Sequence, residues 1–455
     1  LTLAEKRKFD VIVIGSGPAG GIVARKCAEA GLSVAVVERN GWGGVCPLRG
    51  CEPKKILADT AHAVVRARDM AAHGVTGDVG LDWPALMRFK HSSIDPISDA
   101  VFRSFERRGA ATFHGAARFT GPDTLEVEGH GSIGADHIVV AAGAVPRRLD
   151  VPGEELLLTS DDFLDLDPLP ESLIFIGGGF ISFEFAGVAA AAGARATILH
   201  RSGRVLKGFD ESLSRKLVLA MEAQGVAVHT DLPVRAVERH GDGVLVRCAD
   251  ADGGERTFVA SAVVEGAGRV PDLDGLALDR AGVQAGPHGI EVDANLRSIC
   301  NPRVFAAGDC AATGLPLTPV AALQADAVVR TLTGKGPATA DLTGTGSVVF
   351  THPPLSAVGR LEEQAREQGL EFDIFEGDAA GWAEHERLGL SHAGYRVLVE
   401  RGTDRILGAH YLGQHAEEIA NIFGLAIRHN LTRADLLAHP WAYPSFGYTV
   451  RYMLG

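Results

Sequence analysis

At 455 residues and 46% hydrophobic content, the chain is long enough to bury several cores, and length alone suggests about three domains. A formal net charge of −13 argues against a general nucleic-acid or anionic-membrane binder, while leaving room for local basic pockets that hold phosphates. No apolar run approaches the roughly 18 residues of a membrane span, since the alanine-rich stretch 186–194 runs into Arg195. Glu5-Lys6-Arg7-Lys8 leads directly into a strand with no signal-peptide pattern. Six cysteines are too few for a disulfide scaffold in a chain of this size. The expectation is a cytoplasmic protein with neither nucleic-acid nor membrane partners.

The β-branched run 9–14 feeds Gly15-Ser16-Gly17-Pro18-Ala19-Gly20 and then a helix-like stretch, 21–30. This is the strand, glycine turn and helix of a dinucleotide fold. Gly15 and Gly17 allow a tight turn and close approach of a pyrophosphate, Gly20 lets helix and strand pack, and the helix N-terminus stabilises the phosphates. The next strand, 33–37, ends at Glu38, about 20 residues past the glycines, where a carboxylate can bind ribose hydroxyls.

Gly43-Gly44-Val45-Cys46-Pro47-Leu48-Arg49-Gly50-Cys51-Glu52-Pro53-Lys54-Lys55 follows. In a regular helix, cysteines five apart lie about 7.5 Å apart along the axis, beyond the roughly 7 Å Cα reach of a disulfide. Either the segment is distorted, as Pro47 and Gly50 permit, and the two thiols are a redox pair, or they are unrelated buried thiols. Cys27, Cys248, Cys300 and Cys310 supply no second close pair for a structural zinc site, and no metal is expected.

A second dinucleotide pattern appears at 173–176, with Gly177-Gly178-Gly179-Phe180-Ile181-Ser182, an alanine-rich helix and a strand at 196–199. Two such sites in one chain suggest hydride passing between two cofactors. The second strand ends not in an acid but in His200, followed by Arg201, Arg204 and Lys207. Cations there suit an adenosine 2′-phosphate and favour NADPH over NADH; the plain alternative is a solvated basic turn.

Glycine and proline gather at 143–152, 266–275 and 334–346, marking linkers. They predict a discontinuous first domain over 1–150 and 270–335, a second over 151–269 and a third over 340–455. Within the first, strand 304–307 ends at Gly308-Asp309, where the carboxylate can accept hydrogen bonds from a ribityl-type polyol or cap a helix. The third mixes strands at 347–350, 395–399 and 406–412 with a helix at about 415–429, whose Ile419, Ile422, Phe423, Ala426 and Ile427 form one apolar stripe.

Together and in order, these pieces resemble the pyridine nucleotide-disulfide oxidoreductases, the family of glutathione reductase, dihydrolipoamide dehydrogenase and mercuric reductase. The most specific marks are Gly43-Gly44-x-Cys46-x4-Cys51-x-Pro53, Gly308-Asp309 with Leu317-Thr318-Pro319-Val320-Ala321, and Phe350-Thr351-x-Pro353-Pro354. The resemblance implies an α/β fold with two Rossmann-like domains, for FAD and NAD(P), and a C-terminal α+β dimerisation domain. It places FAD along Gly15, Gly17, Gly20, Glu38, Gly43, Gly44, Ala117, Gly143, Gly308, Asp309 and Ala321. The nicotinamide nucleotide would lie along Gly177, Gly179, Phe180, His200, Arg201, Arg204, Lys207 and Gly268. Electrons would pass from NADPH through FAD to a Cys46–Cys51 disulfide and on to a small or protein disulfide. Cys51 would be the charge-transfer thiol and Cys46 the interchange thiol, a division that suits a reachable attacking thiolate. Lys54 would stand near the flavin, Glu184 would be its ion-pair partner, and Phe180 would be an aromatic gate.

Two departures stand out. The family donates a His-Pro and a glutamate five residues later across a homodimer interface, as an acid–base pair. Here His439-Pro440 is followed by Pro444 at the glutamate position, whereas a register on Tyr443-Pro444 puts Tyr448 there. The second register is preferred, which makes Tyr443, with a pKa near 10, the candidate proton donor; the alternatives are that Tyr443 only packs against the redox pair and that His439 caps a helix or fills a core. Glu52 is the other departure, since a carboxylate beside Cys51 should disfavour its thiolate unless Arg49 or Lys55 offsets it. The alternative function is an NAD(P)H-dependent flavin oxidoreductase that passes electrons to a quinone, metal ion or other non-disulfide acceptor. A third, redox-sensing reading has no specific residue behind it.

Overall fold

The computed structural model describes residues 7–250 and 253–455; Glu5-Lys6 of the charged N-terminal tetrad lies outside the described residues. Contacts divide the chain into two units. One comprises the chain through Lys54, Phe89–Arg147 and Arg269–Leu342; the other comprises Lys55–Arg88, Arg148–Gly268 and Thr343–Gly455.

In the first unit the run expected at 9–14 forms strand Lys8–Ile14, paired in parallel with Val34–Glu38 and Gly131–Val140. Ala111–His114 extends the sheet beyond Val34–Glu38, and Val304–Ala306 pairs in parallel with Gly131–Val140. Alternation explains why this strand is apolar throughout. Val11 and Val13 pack with Val23, Ala24 and Phe305, whereas Ile12 and Ile14 pack with Val37, Phe113 and Val140. A sheet covered on both faces selects apolar residues at every position, and each fully buried Val or Ile contributes roughly 1.5–3 kcal/mol. Two short antiparallel strands, Thr124–Val127 and Ala117–Phe119, complete the sheet.

The second unit holds three sheets. Val226–His229, Arg195–Leu199, Ser172–Ile176 and Ala262–Glu265 form a parallel sheet in that order. Val234–His240, Gly243–Ala249 and Glu255–Ala260 form an antiparallel one. The C-terminal region supplies a five-stranded antiparallel sheet ordered Gly346–Val349, Leu355–Gly359, Ile406–Leu412, Gly394–Glu400, Phe372–Asp378. Helix Ala416–Arg428 lays Ile419, Phe423 and Ala426 into the core with Val358 and Ala409, with Ile422 and Ile427 partly buried against it. The predicted stripe is therefore core. Among the described residues no helix is long and apolar enough to cross a membrane.

Candidate redox site and nucleotide cradles

The cysteine segment breaks where its proline and glycine permit. Helix Val45–Arg49 ends at Gly50, with φ −141° and ψ −115°, and helix Cys51–Asp69 restarts immediately. A Cβ on Gly50 would stand 3.0 Å from the Val45 carbonyl oxygen, so a larger residue there needs the backbone to give by a few tenths of an ångström. It brings the Cys46 and Cys51 thiols into a hydrogen bond, which excludes two unrelated buried thiols. The hydroxyl of Thr318 donates to Cys46 Sγ at 3.1 Å and lies 3.6 Å from Cys51 Sγ. Thr318 opens helix Thr318–Leu332, whose preceding residue, Leu317, offers no side-chain cap. The positive end of that helix is thereby turned toward a site where negative charge can form.

The proton is shared unequally between the two sulfurs. The Cys51 thiol is pushed down to about 6, chiefly by the hydrogen bond from Cys46, then by Thr318 and the charge of Lys54, against the cost of burial. Cys46 is pushed up, first by its bond to Cys51 and then by burial. Hence Cys51 is the thiolate and Cys46 keeps the proton in the reduced pair. Cys46 therefore has to give up its proton before it can attack. Burial pushes Cys27 up to about 12 and Cys248 and Cys310 to about 11, which leaves them inert at neutral pH.

The first glycine turn is tied to this segment. Glu38 Oε2 accepts from the Ser16 amide at 2.9 Å and its hydroxyl at 2.6 Å, and Oε1 accepts from the Asn40 amide at 2.8 Å. Ser16 Oγ in turn accepts from the Gly43 amide at 2.9 Å. Three of about four acceptor positions on the carboxylate are therefore used within the chain, leaving one for a ribose hydroxyl. A Cβ on Gly20 would lie 2.0 Å from the Gly15 carbonyl oxygen, and one on Gly44, at φ +74°, would lie 2.5 Å from Gly17 Cα. Helix Pro18–Glu29 begins without a side-chain cap at Gly17, so its first N–H groups can meet phosphate oxygens.

The other expected FAD residues surround the same sheet. Ala117 points its side chain into the apolar core, just after a turn in which Gly115 donates its amide to the Glu38 carbonyl at 2.9 Å. Gly143 has φ +74° at the end of the central strands. Gly308, at φ +79°, donates to Gln324 Oε1 at 2.7 Å. Asp309 is raised by burial, with Arg269 opposing, and Ala321 is buried on helix Thr318–Leu332. A cradle of backbone turns, an uncapped helix end and two carboxylates fits a flavin dinucleotide.

In the second unit the glycine turn Gly177–Gly179 precedes helix Phe180–Ala191, again without a side-chain cap. A Cβ on Gly178 would reach within 2.6 Å of the His200 ring, so the end of the second strand packs on the turn. According to its tautomer, His200 Nε2 donates to the Arg204 carbonyl at 3.2 Å or accepts from Ser202 Oγ at 3.0 Å, and burial lowers its pKa. Arg204 forms a two-bond pair with Glu363, at 2.8 and 3.0 Å. Arg201 and Lys207 are exposed and hold no ion pair among the described residues. Gly268 has φ +113°. Phe180 is 50% exposed, and Glu184 is 2% exposed with Oε1 accepting from the Phe350 amide at 2.7 Å.

Near the C-terminus Tyr443 is 69% exposed and packs edge-on against Tyr448 with ring centroids 4.9 Å apart. His439 closes helix Arg433–Ala438 and lies against Trp441, centroids 4.6 Å apart. Thr318 was missed as a site residue in its own right. Its signal was the Leu317-Thr318-Pro319 motif, which marks a helix start but not which sulfurs the hydroxyl meets. Among the described residues no cluster of three histidine, cysteine or acidic side chains could hold a metal.

Two uncapped glycine turns and a hydrogen-bonded thiol pair define a two-nucleotide redox protein. The chain belongs to the pyridine nucleotide-disulphide oxidoreductases: residues 9–325 match that family's model and 345–453 match its dimerisation domain. It is 33% identical over 444 residues to a glutathione reductase of Burkholderia cepacia, covering 97% of each chain. It is 30% identical to a dihydrolipoyl dehydrogenase of Staphylococcus aureus, covering 96% of this chain and 94% of the other. The HOCl-induced flavoprotein disulfide reductase RclA of Escherichia coli superposes with TM-score 0.86 at 26% identity, over 97% of this chain and 98% of that one. The protein is therefore a flavoprotein oxidoreductase of the disulfide type, using FAD and a nicotinamide nucleotide and carrying a homodimer-forming domain.

Proposed function

We propose that the protein is an NADPH-dependent disulfide reductase in which Cys46 and Cys51 deliver two electrons to a small or protein disulfide. The observation that carries this reading is the unequal thiol pair under one threonine hydroxyl. Bound FAD, held along Gly15, Gly17, Gly20, Glu38, Gly43, Gly44, Gly308 and Asp309, would supply the two-electron relay between nicotinamide and sulfur.

Cys46 releases its proton to solvent as it attacks one sulfur of the substrate, forming a mixed disulfide and expelling the other sulfur as a thiolate. That leaving thiolate takes a proton from the partner subunit's Tyr443, since a phenol donates well but is a poor base at neutral pH. The Cys51 thiolate then attacks Cys46, which closes the intramolecular disulfide and releases the second half of the substrate. Lys54 steadies the negative charge on Cys51. Arg201 and Lys207 would hold the 2′-phosphate of NADPH. The functional domains would be 1–150 with 270–335 for FAD, 151–269 for the nicotinamide nucleotide and 340–455 for dimerisation. Cysteine usage favours the cytoplasm.

A panel of metabolite and protein disulfides assayed with NADPH and NADH tests the reading, and Cys46→Ser should abolish turnover on any disulfide accepted. Activity with a quinone or metal ion that survives Cys46→Ser, together with none on disulfides, would favour the non-disulfide alternative. That alternative draws on the aromatic Tyr443–Tyr448 contact where an acid–base dyad would stand.

A further inference from the structure

The basic turn after strand Arg195–Leu199 carries three permanent cations, and one of them is already occupied. Arg204 donates through Nη1 to Glu363 Oε2 at 2.8 Å and through Nη2 to Glu363 Oε1 at 3.0 Å, and Nη2 also reaches the Phe209 carbonyl at 3.3 Å. Planar two-bond pairing is the geometry in which a guanidinium recognises a carboxylate or a phosphate, and one fork cannot serve both at full strength. The carboxylate is held from outside the nucleotide-binding fold. Glu363 belongs to helix Glu362–Glu367 of the C-terminal region, and the neighbouring Glu362 is fixed to Arg396, which also approaches Asp210 at 3.7 Å and Glu376 at 3.3 Å. Asp210 in turn caps the helix that follows the basic turn, accepting from the Leu213 amide at 3.1 Å. Two adjacent glutamates thus hold the turn and its exit to the C-terminal sheet.

We propose that Glu363 is a specificity-determining residue that competes with the adenosine 2′-phosphate for Arg204, so that cofactor preference is set partly by the C-terminal region and not by the nucleotide-binding turn alone. This rests on the NADPH reading above. Arg201 and Lys207 give the turn its basal affinity for the phosphate, while the carboxylate of Glu363 holds the third cation in reserve and places a negative charge beside an incoming dianion. An occupant without the phosphate, such as NAD+, meets neither effect.

The test is binding of NADP+ and NAD+ to the oxidised holoenzyme by calorimetry, which requires no knowledge of the disulfide substrate. Glu363→Gln should tighten NADP+ by about fivefold, corresponding to ~1 kcal/mol, and leave NAD+ within about twofold. In an Arg204→Ala background the same substitution should lose most of that effect, because a coupling between two groups vanishes when one is removed. Equal shifts for both nucleotides would show that the pair only braces the fold, and no shift for NADP+ would also overturn the proposal. Arg201→Ala and Lys207→Ala separate the two levels of the argument. If they weaken NADP+ while Glu363→Gln changes nothing, only the role of Glu363 falls; if they leave NADP+ unchanged, the NADPH reading falls and takes this proposal with it.

Discussion

Replacing Thr318 by valine keeps the branched shape of a helix-opening residue and deletes one hydroxyl, the one that lies 3.1 Å from Cys46 Sγ and 3.6 Å from Cys51 Sγ. Hydrogen bonds to charged groups contribute about 1.5–3 kcal/mol when fully formed, and because the one hydroxyl proton is shared between Cys46 at 3.1 Å and the Cys51 thiolate at 3.6 Å, its effect on Cys51 falls at the low end of that range. A loss of ~1.4 kcal/mol is about one pKa unit. The Cys51 thiol, now at about 6, should therefore move to about 7. At pH 7 the thiolate fraction would fall from about nine-tenths to about half. The assay is the pH dependence of ultraviolet thiolate absorbance and of iodoacetamide labelling in the reduced holoenzyme, with the labelled cysteine located by mass spectrometry. Thr318→Ser should stay near the wild-type midpoint because it restores the donor. A midpoint that does not move in Thr318→Val, or that moves equally in Thr318→Ser, would refute the argument that this hydroxyl holds the charge.

Three further expectations concern other parts of the site. Gly44→Ala forces a Cβ to within 2.5 Å of Gly17 Cα at φ +74°, so the purified variant should carry little FAD by absorbance ratio, whereas Gly208→Ala, with open space around it, should carry the wild-type amount. Glu265 is 9% exposed, its Oε1 has no hydrogen-bond partner among the described residues, and burial followed by Glu154 pushes its carboxyl up to about 7 against Arg148. The folded state then binds this proton more tightly than the unfolded chain, so the residue's contribution to stability declines as pH rises from about 4.5 through about 7. Glu265→Gln should accordingly be more stable than wild type at pH 8, on the order of 2 kcal/mol after allowing for screening, with little difference at pH 4.5; a wild-type protein equally stable at both ends relative to the variant would contradict this. Finally, Tyr443→Phe should slow disulfide turnover more than His439→Gln, and the opposite order would reinstate the histidine as proton donor.

Much of this architecture is legible in the sequence because its strongest constraints are local. Gly15, Gly17 and Gly20 sit in a turn where backbone meets backbone, and the apolar runs beside them are covered on both faces, so spacing alone locates strand, turn and helix. The redox break is readable for the same reason, since Pro47 and Gly50 fall between the cysteines. Interactions between residues far apart in the chain are not readable in this way. Nothing in the basic turn indicates that Glu363, 159 residues beyond Arg204, neutralises one of its cations, or that His200 is packed on Gly178. What sets the Cys51 charge is equally out of reach, because its partners are Cys46 across the helix break and Thr318, 267 residues away. The short antiparallel strands at Thr124–Val127 and Glu255–Ala260 lack long alternating runs and were not marked by pattern.

Anaerobic addition of one equivalent of NADPH to the oxidised enzyme, followed by its long-wavelength absorbance, bears most directly on the thiol pair. Wild type should show a thiolate-to-flavin band only after the NADPH is added, Cys46→Ser should show it before any NADPH is added, because no disulfide can form and Cys51 is already reduced, and Cys51→Ser should show none. A band of undiminished strength in Cys51→Ser would mean that the low-pKa sulfur is not the one that faces the flavin, and the assignment of the pair would be wrong.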